Sequence, residues 1–96
     1  MSTDAVLSRE VLIANRRGLH ARASAKFVTL ASGLPAKVTV TREGSDVAGT
    51  SIMGLMMLGA AMGDTITIAA SGEDAEGALA QLVALVEDKF GEDREG

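Results

Sequence analysis

Asn15-Arg16-Arg17-Gly18-Leu19-His20-Ala21-Arg22-Ala23-Ser24-Ala25-Lys26-Phe27 is where the chain changes its period. Before it, Arg9 to Ala14 alternates with Val11 and Ile13 on one face, the pattern of a strand. After it, Ala23, Phe27, Leu30 and Ala31 fall at i, i+4, i+7 and i+8, the apolar stripe of a helix. Asn15 to Leu19 must be the loop between them, and Gly18 gives that loop a backbone position free to turn. The helix should start at His20 or Ala21, which puts the only histidine of the chain at its mouth. Ser32-Gly33 should end it, with Gly33 in the left-handed closing position, Leu34 folded back and Pro35 forbidding continuation.

Further on, Lys37 to Arg42 alternates polar and β-branched residues, a strand with one wet face. Glu43-Gly44 reads as a hairpin turn and Asp46 to Ala48 as the short return strand. Ser51 is a good N-cap for a second helix, Ile52-Met53-Gly54-Leu55-Met56-Met57-Leu58, which is apolar almost all the way round before Gly59. Asp64 to Ala69 is a fourth alternating strand. From Glu73 the helical period returns, with Ala75, Leu79, Leu82, Val83, Val86 and Phe90 on one stripe and Glu73, Asp74 and Glu76 in the first turn. The order β-α-β-β-α-β-α, with one-sided strands and no linker, implies one α+β domain. It should be an open-faced two-layer sandwich, a four-stranded antiparallel sheet with three helices on one face. Its core should run from about residue 9 to residue 90, with frayed ends at 1–7 and 92–96.

Composition narrows the possible functions. The chain of 96 residues is 47% hydrophobic with positive mean hydropathy, enough for one core and too short for two. It has no Cys, which removes disulfides and thiolate metal sites, and a single His argues against metal binding. No stretch approaches the roughly 18 apolar residues of a membrane helix, and the start lacks the marks of a secretory signal, so a cytoplasmic protein is expected. A net charge of −4 without Trp or Tyr argues against nucleic acid. Against that acidic background, Arg16, Arg17, Arg22 and Lys26 around His20 form a basic cluster.

A helix mouth offers unpaired N–H groups and the positive end of the peptide dipoles, so an anion carried on the His20 ring would be held there. Imidazole ionises near neutrality, so part of it always offers a lone pair, and its phosphorylated form becomes a leaving group once the other nitrogen is protonated. Arg22 and the first-turn amides would stabilise equatorial phosphoryl oxygens during transfer. Taken alone, a histidine beside arginines is more often just a polar surface or capping group. The Met-rich helix is likewise compatible with complete burial, because thioethers fill irregular gaps. A helix so short cannot bury every face against one sheet, however, and some of Ile52, Met53 and Met56 should lie exposed as a docking patch.

Gly18-Leu19-His20-Ala21-Arg22, followed some thirty residues later by Ser51-Ile52-Met53-Gly54-Leu55-Met56, resembles the HPr family, the histidine-containing phosphocarriers of the bacterial phosphoenolpyruvate-dependent phosphotransferase system. The likeness runs from about Arg9 to about Phe90. It implies that His20 is phosphorylated on Nδ1 by phosphorylated Enzyme I and passes the group to EIIA-type acceptors. Arg22 would assist the phosphate, with Arg17 a further contact at a more variable position. Ser51 would be the target of HPr kinase/phosphorylase. Ile52, Met53, Leu55 and Met56 would meet the partners. The resemblance implies no cofactor and no metal, and a carrier that is a substrate of other enzymes, most simply a monomer. The family usually has proline where this chain has Ala23; proline in a first turn presets φ, so alanine leaves that turn less rigid.

Two other readings stay open on the residues. One is a small enzyme with His20 as general base, disfavoured because no Asp or Glu stands near it in sequence. The other is a regulatory module, like the nitrogen-type relatives, in which phosphorylation of His20 signals to partner proteins and does not feed sugar uptake.

Overall fold

The computed structural model describes residues 5–92. Its elements are β1 (Val6–Leu12), α1 (Ala21–Ser32), β2 (Lys37–Arg42), β3 (Ser45–Ala48), α2 (Ile52–Met57), β4 (Thr65–Ser71) and α3 (Ala75–Glu87), with a tight turn at Lys89–Gly91. The sheet order is β1-β4-β2-β3, antiparallel throughout. This is the open-faced sandwich that the alternation of periods predicts.

The strands obey the period-2 rule. Val38 and Val40 on β2, and Ile66, Ile68 and Ala70 on β4, are buried beneath the helices, while Lys37, Thr39, Thr67 and Ala69 between them face outward. The β2–β3 hairpin closes through Glu43 and Gly44 at φ 50° and 84°, with Arg42 opposite Ser45, a two-residue turn whose positive φ values match the twist of the strands. The helices bury single stripes. Phe27 and Phe90, the only aromatic residues, are both fully buried. The whole predicted α3 stripe is buried, although Phe90 lies beyond the helix, in the Lys89–Gly91 turn.

Four details depart from the sequence reading. β1 begins at Val6, paired with Ser71, so Val6 and Leu7 are strand and not a loose end. Ladder hydrogen bonds to β4 reach further along the chain than side-chain alternation reveals. Gly33 caps α1 with φ −88°, not left-handed; its N–H bonds to Leu30 and Ala31 carbonyls close the last turn without a reversal of φ. Phe90 takes the left-handed conformation instead, at φ 54°. Glu92 is not frayed: it is folded back onto α1, as described below. The remaining parts of the expected loose ends, 1–4 and 93–96, lie outside the described residues.

Candidate phosphoacceptor site

The loop before α1 is shaped by Gly18 and Asn15. Gly18 sits at φ 65°, and a Cβ there would come within 2.4 Å of the Ala60 carbonyl oxygen, so any side chain would push two loops apart. The neighbouring Leu19 N–H donates to that same carbonyl at 3.0 Å, tying the α1 entry to the segment after α2. Asn15 is fully buried and its Nδ2 donates to the Gly18 carbonyl at 2.8 Å. Inside the helix, Ser24 is buried too, its hydroxyl donating to the Leu19 carbonyl.

This frame makes His20 the N-cap of α1, in extended backbone with φ −74° and ψ 179°. Its carbonyl accepts from Ser24 N–H at 2.9 Å, the first intrahelical bond. Its Nδ1 accepts from the Arg22 backbone N–H at 3.2 Å, a bond on the exposed side of the ring. A backbone N–H can only donate, so Nδ1 presents a lone pair and the hydrogen of the neutral ring sits on Nε2. The first turn of α1 carries no acidic residue, leaving the positive end of its dipole uncompensated by its own side chains.

The other ring edge holds a surprise. Nε2 lies 2.6 Å from Glu92 Oε2, and the two side chains are only 13% and 14% exposed. A position at the helix mouth by itself suggests a ring bare to solvent, but one edge of the His20 ring is open and the other is covered. Seventy-two residues of separation hid this partner from a linear reading. The only local signal is Gly91, which permits a reversal just after the helical stripe ends.

Arg22 and Arg17 are both exposed, on the first turn of α1 and in the preceding loop. Neither guanidinium has a hydrogen bond or ion pair among the described residues, so both are available to an incoming anion. Lys26 is spent elsewhere: its Nζ donates to the Phe90 carbonyl at 2.7 Å. Arg16 is also engaged, so Arg17 and Arg22 are the members of the basic cluster left to meet an anion.

Ser51 caps α2 as expected, its Oγ accepting from Gly54 N–H at 2.9 Å. The six-residue helix it begins is sorted sharply. Leu55 is 0% exposed, whereas Met53 is 67% and Met57 79% exposed, with Ile52 and Met56 near 40%. Leu55 is therefore a core residue and not part of a contact surface. Met57, not singled out in the sequence, joins the exposed patch.

Among the described residues no group of three His, Asp or Glu side chains is placed to hold a metal, and no helix is long and apolar enough to cross a membrane. The family model described as "PTS HPr component phosphorylation site" matches residues 7–88. The chain is 45% identical over 87 residues to "Phosphocarrier protein HPr" of Cupriavidus necator, covering 91% of this chain and 98% of that one. It is 44% identical to "Phosphocarrier protein NPr" of Shewanella violacea, over 90% and 94%. Among solved structures it is similar to HPr-C-His from Thermoanaerobacter tengcongensis, with 40% identity, a TM-score of 0.87 and coverage of 92% and 99%. A histidine capping a helix mouth, in this sandwich, with these relatives along nearly its whole length, makes the chain a member of the HPr family, the phosphocarrier proteins of the phosphotransferase system.

Proposed function

We propose that His20 accepts a phosphoryl group on Nδ1 from phosphorylated Enzyme I and passes it to EIIA-type acceptors. The observation that carries this reading is the open Nδ1 edge at the α1 mouth, its lone pair already met by a backbone N–H. On transfer, the Nδ1 lone pair forms the N–P bond while the donor's bond to phosphorus breaks. The phosphoryl oxygens then take over the Arg22 amide and its first-turn neighbours, and the exposed Arg22 and Arg17 side chains answer the charge. The reverse sequence delivers the group to the next acceptor. The protein supplies a covalent way station, while the partner phosphotransferases supply the catalysis.

Ile52, Met53, Met56 and Met57 provide the adaptable apolar surface on which successive partners dock. Ser51, beside that patch, is the regulatory site for an HPr kinase/phosphorylase; a dianion there would break an apolar contact and repel an acidic partner. The protein acts as a monomer in the cytoplasm, where these partners operate.

A second reading has its own support in the near-equal identities to an HPr and to an NPr. In it the same phosphorylation state controls partner proteins and does not drive sugar uptake. Incubation with phosphoenolpyruvate and Enzyme I tests the shared chemistry: wild type should gain one acid-labile, base-stable phosphate, and His20→Ala none. A phosphate retained in His20→Ala would refute the site. Transfer onward to a sugar-specific EIIA, compared with a nitrogen-type one, separates the two roles.

A further inference from the structure

The His20–Glu92 contact is built from several independent parts of the fold. Lys89, Phe90 and Gly91 all have positive φ, 57°, 54° and 75°, and reverse the chain after α3. Two of these are not glycine, and the left-handed conformation is strained for a residue with a Cβ. Burial of the Phe90 ring offsets that strain, and Lys26 on α1 donates to the Phe90 carbonyl. Glu92 N–H bonds the Lys89 carbonyl at 2.8 Å. Finally Asn15 Nδ2, with its other hydrogen on Gly18, donates to Glu92 Oε1 at 3.0 Å. Both partners of that amide nitrogen are acceptors, which fixes the orientation of Asn15 and leaves its Oδ1 buried without a partner among the described residues. A buried amide so committed aims one carboxylate oxygen at Asn15 and the other at His20.

We propose that Glu92 is a positioning residue for phosphoryl transfer: it keeps the hydrogen of the neutral His20 ring on Nε2 and closes that edge, confining N–P bond formation to Nδ1. The proposal rests on the reading of His20 as phosphoacceptor. In an unrestrained histidine Nε2 is the less hindered nitrogen, since Nδ1 is crowded by its own main chain. Selection of Nδ1 therefore requires that Nε2 be taken out of competition. A carboxylate does so twice over, by holding the hydrogen and by repelling an approaching anionic donor. When Nδ1 attacks phosphorus, Nε2 keeps its hydrogen, the ring becomes cationic, and Glu92 faces the new charge at hydrogen-bond distance. Asn15 acts at one remove, by orienting Glu92.

The test uses a small chemical donor, so Enzyme I does not enter. With phosphoramidate, the N–P bond to the ring forms as the donor's own P–N bond breaks and ammonia departs with the hydrogens it already carried. The full-length protein is sampled early, before isomers equilibrate, and the phosphorylated nitrogen is identified by 31P and 15N NMR. Wild type should give the Nδ1 isomer alone. Glu92→Ala should give both, shifting the isomer ratio at least tenfold toward Nε2. Glu92→Gln, which keeps an acceptor for the Nε2 hydrogen, should retain most of the selectivity. An Nε2 product from wild type, or an unchanged ratio in Glu92→Ala, would overturn the proposal. A merely structural tether would alter the thermal midpoint of Glu92→Ala and leave the ratio alone. Failure of the carrier reading would appear in the Enzyme I assay instead, whatever the isomer ratio.

Discussion

The mouths of α1 and α2 solve one local problem in two ways. At each, a side-chain acceptor on the N-cap residue takes a first-turn amide: His20 Nδ1 from Arg22, Ser51 Oγ from Gly54. The serine does this with an amide three residues along its own chain. The histidine is gripped from behind by a residue 72 positions away, which is itself held by a buried asparagine. Their surroundings differ as well, with exposed guanidinium groups near His20 and exposed methionines near Ser51. A reactive group needs its orientation fixed from more than one direction, whereas a modifiable hydroxyl at a docking surface needs only to be reachable.

The sharpest way to break this contrast is to remove the two caps in turn. His20→Ala should abolish phosphorylation by Enzyme I entirely, measured by incorporation of labelled phosphate, while Ser51→Ala should retain it and lose only about 1 kcal/mol of stability from the missing cap. Comparable loss of incorporation in both would show that the two helix mouths are not specialised. Next in size is the division within α2. Leu55→Ala should cost about 2–5 kcal/mol in urea unfolding, since it empties a fully buried site, and Met53→Ala less than about 0.5 kcal/mol. Equal costs would mean that the apolar patch is packed and not offered to partners.

Charge at Ser51 comes third. Ser51→Asp places an anion where the α2 dipole tolerates it, so its melting temperature should stay near that of wild type, while transfer from Enzyme I slows about tenfold, worth roughly 1.4 kcal/mol of docking. Unchanged transfer kinetics would remove Ser51 from regulation. The smallest effect concerns Ala23, fully buried in the first turn of α1. Ala23→Pro should stabilise the protein by about 0.4–1 kcal/mol in thermal unfolding, because φ in a first turn already suits proline and the unfolded chain loses freedom. Destabilisation would show that the Ala23 amide is needed where it is, and that this helix mouth departs from the family's.

Much of the α1 site was legible in the sequence because its parts are adjacent. The change from period 2 to period 3.6 located the helix mouth to within a residue, and Gly18 two positions before His20 marked the turn into it. The chain order, the hairpin at Glu43-Gly44 and the core stripes of α1 and α3 were legible for the same reason. On α2 the side chains gave no phase, since leucine and methionine surround the helix; which of them faced inward was undetermined until the sheet was in place. With no phase in the side chains to oppose it, the family resemblance placed Leu55 among the partner contacts, and it proved to be core.

The sequence alone determined what depends on neighbours within a few positions: the element order, the caps, the turn residues and the histidine at the start of α1. Tertiary structure alone decided what depends on chain reversal and on which of two equivalent faces meets the core. The pairing of Glu92 with His20 belongs to the second kind. It arises only when α3 packs beside α1 and three left-handed residues swing the chain back, and no local pattern encodes where such a swing will end.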